Sequence, residues 1–250
     1  MLDGIRALAR NYDRVILNGD TLDRIETARG QSRLISELTD ACASRSGPPE
    51  FLAGNHDPLI SSLHWVYLPK PAALIFHGDC IADCTHPAKV HDQLLAAALA
   101  ELWQKLGGRP AKFIDLVGVY RQAQASFLQQ NPLVTDDRSS LGYLARMLYP
   151  PQKPIHVLHY WWTMPRRVAR LAATFDQPVR QVVVGHSHLP GRWRVNGATV
   201  YNTGSFMPLS APYVVSVDGE KVSFQALAGL LRSQRTLLAP LSASVVSERT

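Results

Sequence analysis

The chain has 250 residues, of which 46% are hydrophobic and 18% charged, a globular mixture that excludes a disordered polymer. Lys and Arg exceed Asp and Glu by six, an excess that suits an anionic partner. Three cysteines, odd in number and without a CxxC pair, predict reduced thiols in a cytoplasmic protein.

Asp3, Arg6 and Arg10 interrupt the first residues, so no secretory signal is expected there. The longest uncharged run, 196–217, is broken by Gly197, Gly204, Pro208 and Pro212, so no transmembrane segment is expected. Leu2, Ile5, Leu8 and Ala9 recur at helical spacing and open the chain in a helix. Residues 14–17 read as a short strand ending in Asn18-Gly19-Asp20, 31–43 as a helix, and 51–53 as a strand ending in Gly54-Asn55-His56-Asp57. The apolar run 72–76 stops at His77-Gly78-Asp79. Helical spacing then predicts helices over 90–106, 113–130, 139–148 and 165–175. Residues 181–184 form a buried-type strand ending in Gly185-His186-Ser187-His188. Strands over 193–195, 199–201, 213–217 and 222–224 follow, with hairpin turns at Asn196-Gly197 and Asp218-Gly219. This order predicts a mixed α/β core over 1–84 and 179–228, a helical cap insertion over 85–178 and a C-terminal tail over 229–250.

Four apolar runs of strand length thus end at polar groups: Asp20, then Asn55 and His56 with Asp57, then His77 and Asp79, then His186 and His188. Ligands gather outside the carboxyl ends of strands in open α/β sheets, so strands sharing one sheet bring these groups to one spot. A carboxylate, an amide oxygen and imidazoles, with no sulfur, suit Mn, Fe, Zn or Co. The two oxygens of Asp20 allow it to bridge two ions about 3.5–4 Å apart, an arrangement that clamps a phosphoryl group. A neutral Asn55 keeps such a site positive enough for a phosphate ester.

GD, GNHD, a later histidine and GHxH, in that order, resemble the motifs of the calcineurin-like metallophosphoesterases. The resemblance covers residue 14 to about 217 without most of the helical insertion. It implies a four-layer αββα sandwich and hydrolysis of a phosphate mono- or diester by metal-bound hydroxide at a dinuclear centre. It also implies that Asp20 bridges two metals, that Asn55, His77 and His186 complete one site, and that His188 serves the other. His56 would contact the phosphate and protonate the leaving group. Thr203-Gly204-Ser205 looks like the family's ending after a strand, and HGD at 77–79 looks like the segment of UDP-2,3-diacylglucosamine pyrophosphatases, which also carry a helical cap. That subgroup implies a lipid-linked nucleotide pyrophosphate as an alternative substrate.

The family opens with a strand carrying D-x-H, and none precedes Asp20 here. The first core strand is therefore expected to be missing, with Met1 an internal methionine of a longer product, one metal held tightly and the second site reduced to Asp20 and His188. The alternative expectation is a catalytically inactive binding protein on the same fold.

Residues 101–175 hold ten Lys or Arg against four Asp or Glu, which accounts for the whole excess. Trp161, Trp162 and Met164 beside Arg166, Arg167 and Arg170 read as core plus solvated arginines, as a lid or peripheral membrane contact, or, least, as a nucleic-acid surface. His64, His86, His91, His156 and His159 fit no motif and read as structural, and Cys80 and Cys84 as packing groups.

Overall fold

The computed structural model describes residues 2–22, 28–81, 89–130, 152–206 and 210–233. Helix α1 (Leu2–Ala9) leads into strand β1 (Ile16–Asn18), and α2 (Ala28–Ala41) crosses to β2 (Glu50–Leu52). Strands β3 (Trp65–Leu68) and β4 (Ala73–Phe76) follow, then a 3₁₀ turn over Asp79–Ile81. Three long helices come next: α3 (Lys89–Leu106), α4 (Phe113–Gln130) and α5 (Gln152–Ala172). Strands β5 (Gln181–Val184), β6 (Gly191–Val195), β7 (Ala198–Asn202), β8 (Tyr213–Asp218) and β9 (Lys221–Ala226) follow, and residues 227–233 end the described chain in a helix.

The central sheet has the order β3-β4-β5-β7-β6. Its middle strands β4, β5 and β7 run parallel, and its outer strands β3 and β6 antiparallel to them. Strand alternation divides its side chains between two cores. Leu74, Phe76, Val182, Val184 and Val200 join Phe113 of α4 and Met164 and Val168 of α5 in one buried cluster. Ile75, Val183 and Tyr201 point the other way, onto Leu52 and Ile16 of the parallel pair β1–β2 and onto Val215, Val222 and Phe224 of the hairpin β8–β9. Burying one such aliphatic side chain contributes about 1.5–3 kcal/mol. The helical stretch is thus part of the main core: Phe113 meets Trp65, Phe76 and Phe175 edge to face. Asp115 fixes the start of α4, its carboxylate accepting from the Lys112 N–H at 2.8 Å, the return arm of a capping box. A satellite cluster of Leu95, Ala98, Val119 and Ala123 pairs α3 with α4.

Four expectations change. The ligand-bearing strands lie in two sheets rather than one, β1 and β2 in the small parallel pair and β4 and β5 in the central sheet. Strand β3 was not foreseen, because Trp65–Leu68 is short and owes its register to the adjoining β4. Helix α5 begins at Gln152, not at 165, so Pro165 lies inside it. A proline suits a first helical turn, but here its missing N–H leaves the Trp161 carbonyl without the usual helical donor. The last hairpin turns at Gly219-Glu220, one residue later than expected, since Asp218 pairs with Lys221 and Gly219 takes the positive φ. At Asn196-Gly197 both residues have positive φ, as a type I′ turn requires. The expected helix over 139–148, Cys84 and His86 lie outside the described residues, as does the tail beyond 233.

Candidate metal centre

The loops after β1, β2, β4 and β5 meet at one point. His77 Nε2 lies 3.1 Å from Asn55 Oδ1, 3.1 Å from Asp20 Oδ2 and 3.3 Å from His186 Nδ1. His186 Nδ1 is 2.9 Å from the same Asn55 oxygen. Ligands bound at about 2.1 Å stand about 3.0 Å apart at adjacent corners of an octahedron and about 3.4 Å apart in a tetrahedron. These four separations match neighbouring positions in one ion's coordination shell. Of the four residues, Asp20, His77 and His186 form the carboxylate and imidazole group whose ligand atoms all lie within 4.8 Å of one another.

The protons support the same reading. His77 Nδ1 faces the Asn18 carbonyl at 3.1 Å, an acceptor, so Nδ1 carries the hydrogen and a neutral ring turns its Nε2 lone pair inward. That lone pair confronts the Asn55 oxygen and the Asp20 carboxylate, three acceptors that a cation among them would reconcile. Asp20 Oδ2 is buried and makes no hydrogen bond, although it lies 3.1 Å from Nε2. Close approach without bond alignment is how two ligands of one ion stand. Without an ion the cation is a proton: burial opposes it, but Asp20 outweighs burial and raises the His77 pKa to about 9. Burial, then the charge of His77, lower His186 to about 3 and leave it neutral. Burial also works against the Asp20 carboxylate, yet His77 above all, then His56 and His186, hold its pKa well below the usual range.

Backbone geometry makes the close approach possible. A Cβ at Gly54 would overlap the N and Oδ1 of Asp20, and one at Gly19, whose φ is +72°, would overlap the His77 ring. Asp20 and His188 themselves adopt positive φ, at 46° and 57°, conformations that non-glycine residues hold only when surroundings impose them. For Asp20 that surrounding is Asp57, whose role its place in GNHD does not reveal. Its Oδ1 accepts from the N–H of Asp20 at 3.0 Å and of Gly54 at 2.9 Å. Its Oδ2 accepts from Thr21 at 2.7 Å and Leu22 at 3.0 Å. One buried carboxylate thereby ties the first ligand loop to the second, and burial raises its pKa against those donors.

His56 stands at the rim. Its N–H donates to Asp20 Oδ1 at 2.7 Å, and its Nε2 lies 3.9 Å from Asp20 Oδ2. His188 is close enough to His186 to help lower its pKa, and its carbonyl accepts from Ser210 Oγ at 2.6 Å. Ser187 between them is locked twice: its carbonyl accepts from Trp161 Nε1 at 3.1 Å, its hydroxyl from the buried Asn202 Nδ2 at 2.7 Å. Asp79 of HGD is not brought into the cluster of ligand atoms. It is half-buried, accepts from Gln124 Nε2 at 3.1 Å, and desolvation pushes its pKa up. Cys80 is likewise a core residue, with its thiol pushed well above its usual range by burial. Asn18 was not singled out by sequence as a site residue; its side-chain amide is buried beside the cluster with both polar atoms unbonded.

No protein-family model matches the chain, and no curated protein matches it. No helix among the described residues is long and apolar enough to cross a membrane.

Proposed function

We propose that this chain is a metal-dependent hydrolase of a phosphate mono- or diester, built on the four-layer αββα sandwich of the calcineurin-like metallophosphoesterases. The carrying observation is the cluster of one carboxylate, one amide oxygen and two imidazoles spaced 2.9–3.3 Å at the ends of four strands. In support of that layering, α4 and α5 cover one face of the central sheet and the pairs β1–β2 and β8–β9 the other, while α1 packs with α2.

Asp20, Asn55, His77 and His186 would hold a divalent ion of the Mn, Fe, Zn or Co class, and His188 with Asp20 would serve a second. When bound, such an ion supplies Lewis-acid charge to a phosphoryl oxygen and lowers the pKa of water. The chain's own residues do the rest. Asp57 fixes the direction of Asp20. With Asp20 as the lone carboxylate in the shell, the site keeps a positive charge toward a phosphate. His56, at the mouth and tethered through its N–H, delivers a proton to the departing oxygen. Exposed Arg121, Arg166 and Arg170 on α4 and α5 favour an anionic substrate, a lipid-linked nucleotide pyrophosphate among them. The exposed Ile155, Leu158 and Trp162 of α5 offer a surface for peripheral membrane contact. Unpaired Cys42 and Cys80 fit the reducing cytoplasm.

The test begins with chelator-stripped protein and a panel of aryl and alkyl phosphate mono- and diesters. Turnover should return with Mn²⁺ and vanish in His77→Ala. His56→Asn should slow an alkyl phosphate far more than a nitrophenyl ester, because a good leaving group needs no proton; equal losses would remove His56 from that role. A second reading is kept by one observation: among the described residues only one cluster of carboxylate and imidazole ligands is present. Uptake of one ion per protomer without turnover on any ester would establish a metal-binding protein and refute the hydrolase.

A further inference from the structure

Helix α5 turns two different faces outward and inward. Met164 and Val168 are fully buried in the main core, whereas Ile155, Leu158 and Trp162 are 67%, 61% and 74% exposed. At about 3.6 residues per turn those three fall on one stripe of the helix. Arg166 and Arg170, both exposed, continue the same stripe toward the C-terminus. The helix as a whole carries Lys153, Arg166, Arg167 and Arg170 and contains no Asp or Glu.

An apolar band that includes an indole, continued by cations on a helix without acids, matches the boundary of an anionic bilayer, where acyl chains lie beneath phosphates. A nucleic acid would match the arginines and leave Ile155 and Leu158 unmet. A second copy fits worse still. Antiparallel pairing of α5 would set its arginines against the apolar band, and parallel pairing would set arginines against arginines.

The inner side of the same turn holds the candidate metal loop. The Tyr160 ring meets the His186 ring edge to face with centroids 6.4 Å apart, and Trp161 Nε1 donates to the Ser187 carbonyl at 3.1 Å. Lipid on the outer side would therefore stand one helix diameter, about 10–12 Å, from that loop.

We infer that the outer stripe of α5 docks this protein on an anionic lipid bilayer, with Ile155, Leu158 and Trp162 entering the acyl boundary and Arg166 and Arg170 meeting lipid phosphates. This deepens the membrane contact proposed above and does not require ester hydrolysis.

The test is co-sedimentation of the 250-residue protein with vesicles of equal parts phosphatidylcholine and phosphatidylglycerol, and with vesicles of phosphatidylcholine alone. Binding to the mixed vesicles should be tighter by about tenfold or more and should weaken as salt rises. Trp162→Glu and Leu158→Gln should each weaken it about tenfold. Arg166→Gln and Arg170→Gln should each cost about fivefold on mixed vesicles and leave phosphatidylcholine unaffected. All four sites are exposed, so circular dichroism and melting should match the parent protein. Equal binding to both vesicles, or binding to neither, would overturn the proposal. Loss in Trp103→Glu, an exposed site on α3, with Trp162→Glu unaffected would move the contact off α5. Loss in His77→Ala would place the lipid phosphate on the metal cluster instead. A dimer that forms without vesicles and is broken by Trp162→Glu would assign the stripe to a second copy.

Discussion

Asp20 and Asn55 follow strands of three residues that are mostly half-buried, whereas His77 and His186 follow strands of four that are almost wholly buried. The histidine pair needs little local help: β4 and β5 are adjacent and parallel within the central sheet, with helices on one face and the small sheets on the other. The carboxylate and amide come from a two-stranded parallel pair, too small to be stable alone. There the positions are imposed by polar chemistry, chiefly the four N–H groups gathered by Asp57. One half of the candidate centre is therefore held by packing and the other by a hydrogen-bonded clamp, and the two should fail differently.

The largest expected effect is His77→Ala, which removes a ligand from the rigid half. Mn²⁺ affinity measured by calorimetry should fall by more than about 100-fold, beyond the roughly 10–100-fold typical of outer partners. Asp57→Asn attacks the clamped half. It keeps the shape but turns an amide NH₂ toward backbone donors, so affinity should fall about 10–100-fold while the fold persists by circular dichroism. Unchanged affinity would show that Asp57 does not position Asp20.

Next is pH. His77 holds its proton up to about 9, so an ion must displace that proton, and affinity should rise about tenfold per unit from pH 6.5 to 8.5 and level off above 9. Without metal the same proton favours the folded state below pH 6.5, and that stability is lost as pH rises through 9. His186, depressed to about 3, contributes stability above pH 6.5 that is lost as pH falls toward 3. The metal-free protein should therefore show its highest melting temperature near pH 6.5, and saturating Mn²⁺ should abolish the decline on the alkaline side. The smallest effect on the ion is expected from Phe76→Ala. Emptying this buried aromatic should cost about 3–5 kcal/mol of stability in denaturant unfolding, yet the folded fraction should bind Mn²⁺ almost as before.

The same contrast separates what the sequence made legible from what it did not. Each candidate ligand was visible because an apolar run stopped at it, and α3 and α4 were placed to within a residue because their periodicity is local. That β1 and β2 leave the central sheet was not visible, since a strand end looks the same in either sheet. Asp57 was visible as part of a motif but not as a clamp, because its four donors include Asp20, Thr21 and Leu22, more than thirty positions away. Pro165 misplaced the start of α5 because proline marks first turns far more often than interiors. Strand β3 is four residues whose partner, not composition, makes them a strand.

His77 meets His186 across 109 residues of chain, and Asn55 meets it across 131. A polypeptide leaving the ribosome presents Asp20, Asn55 and His77 early and then waits roughly 5–20 s, at ~5–20 residues per second, for the last ligand to be made. Until β5 docks beside β4, Asp20 and Asn55 on their two-stranded pair and His77 on the unfinished central sheet lack their fourth partner. The finished centre is thus assembled only once the helices and the second half of the central sheet are in place. On the proposed reading, ion loading would be an event of the completed domain, and a chain interrupted between α3 and α5 would lack His186 and could not form the candidate centre.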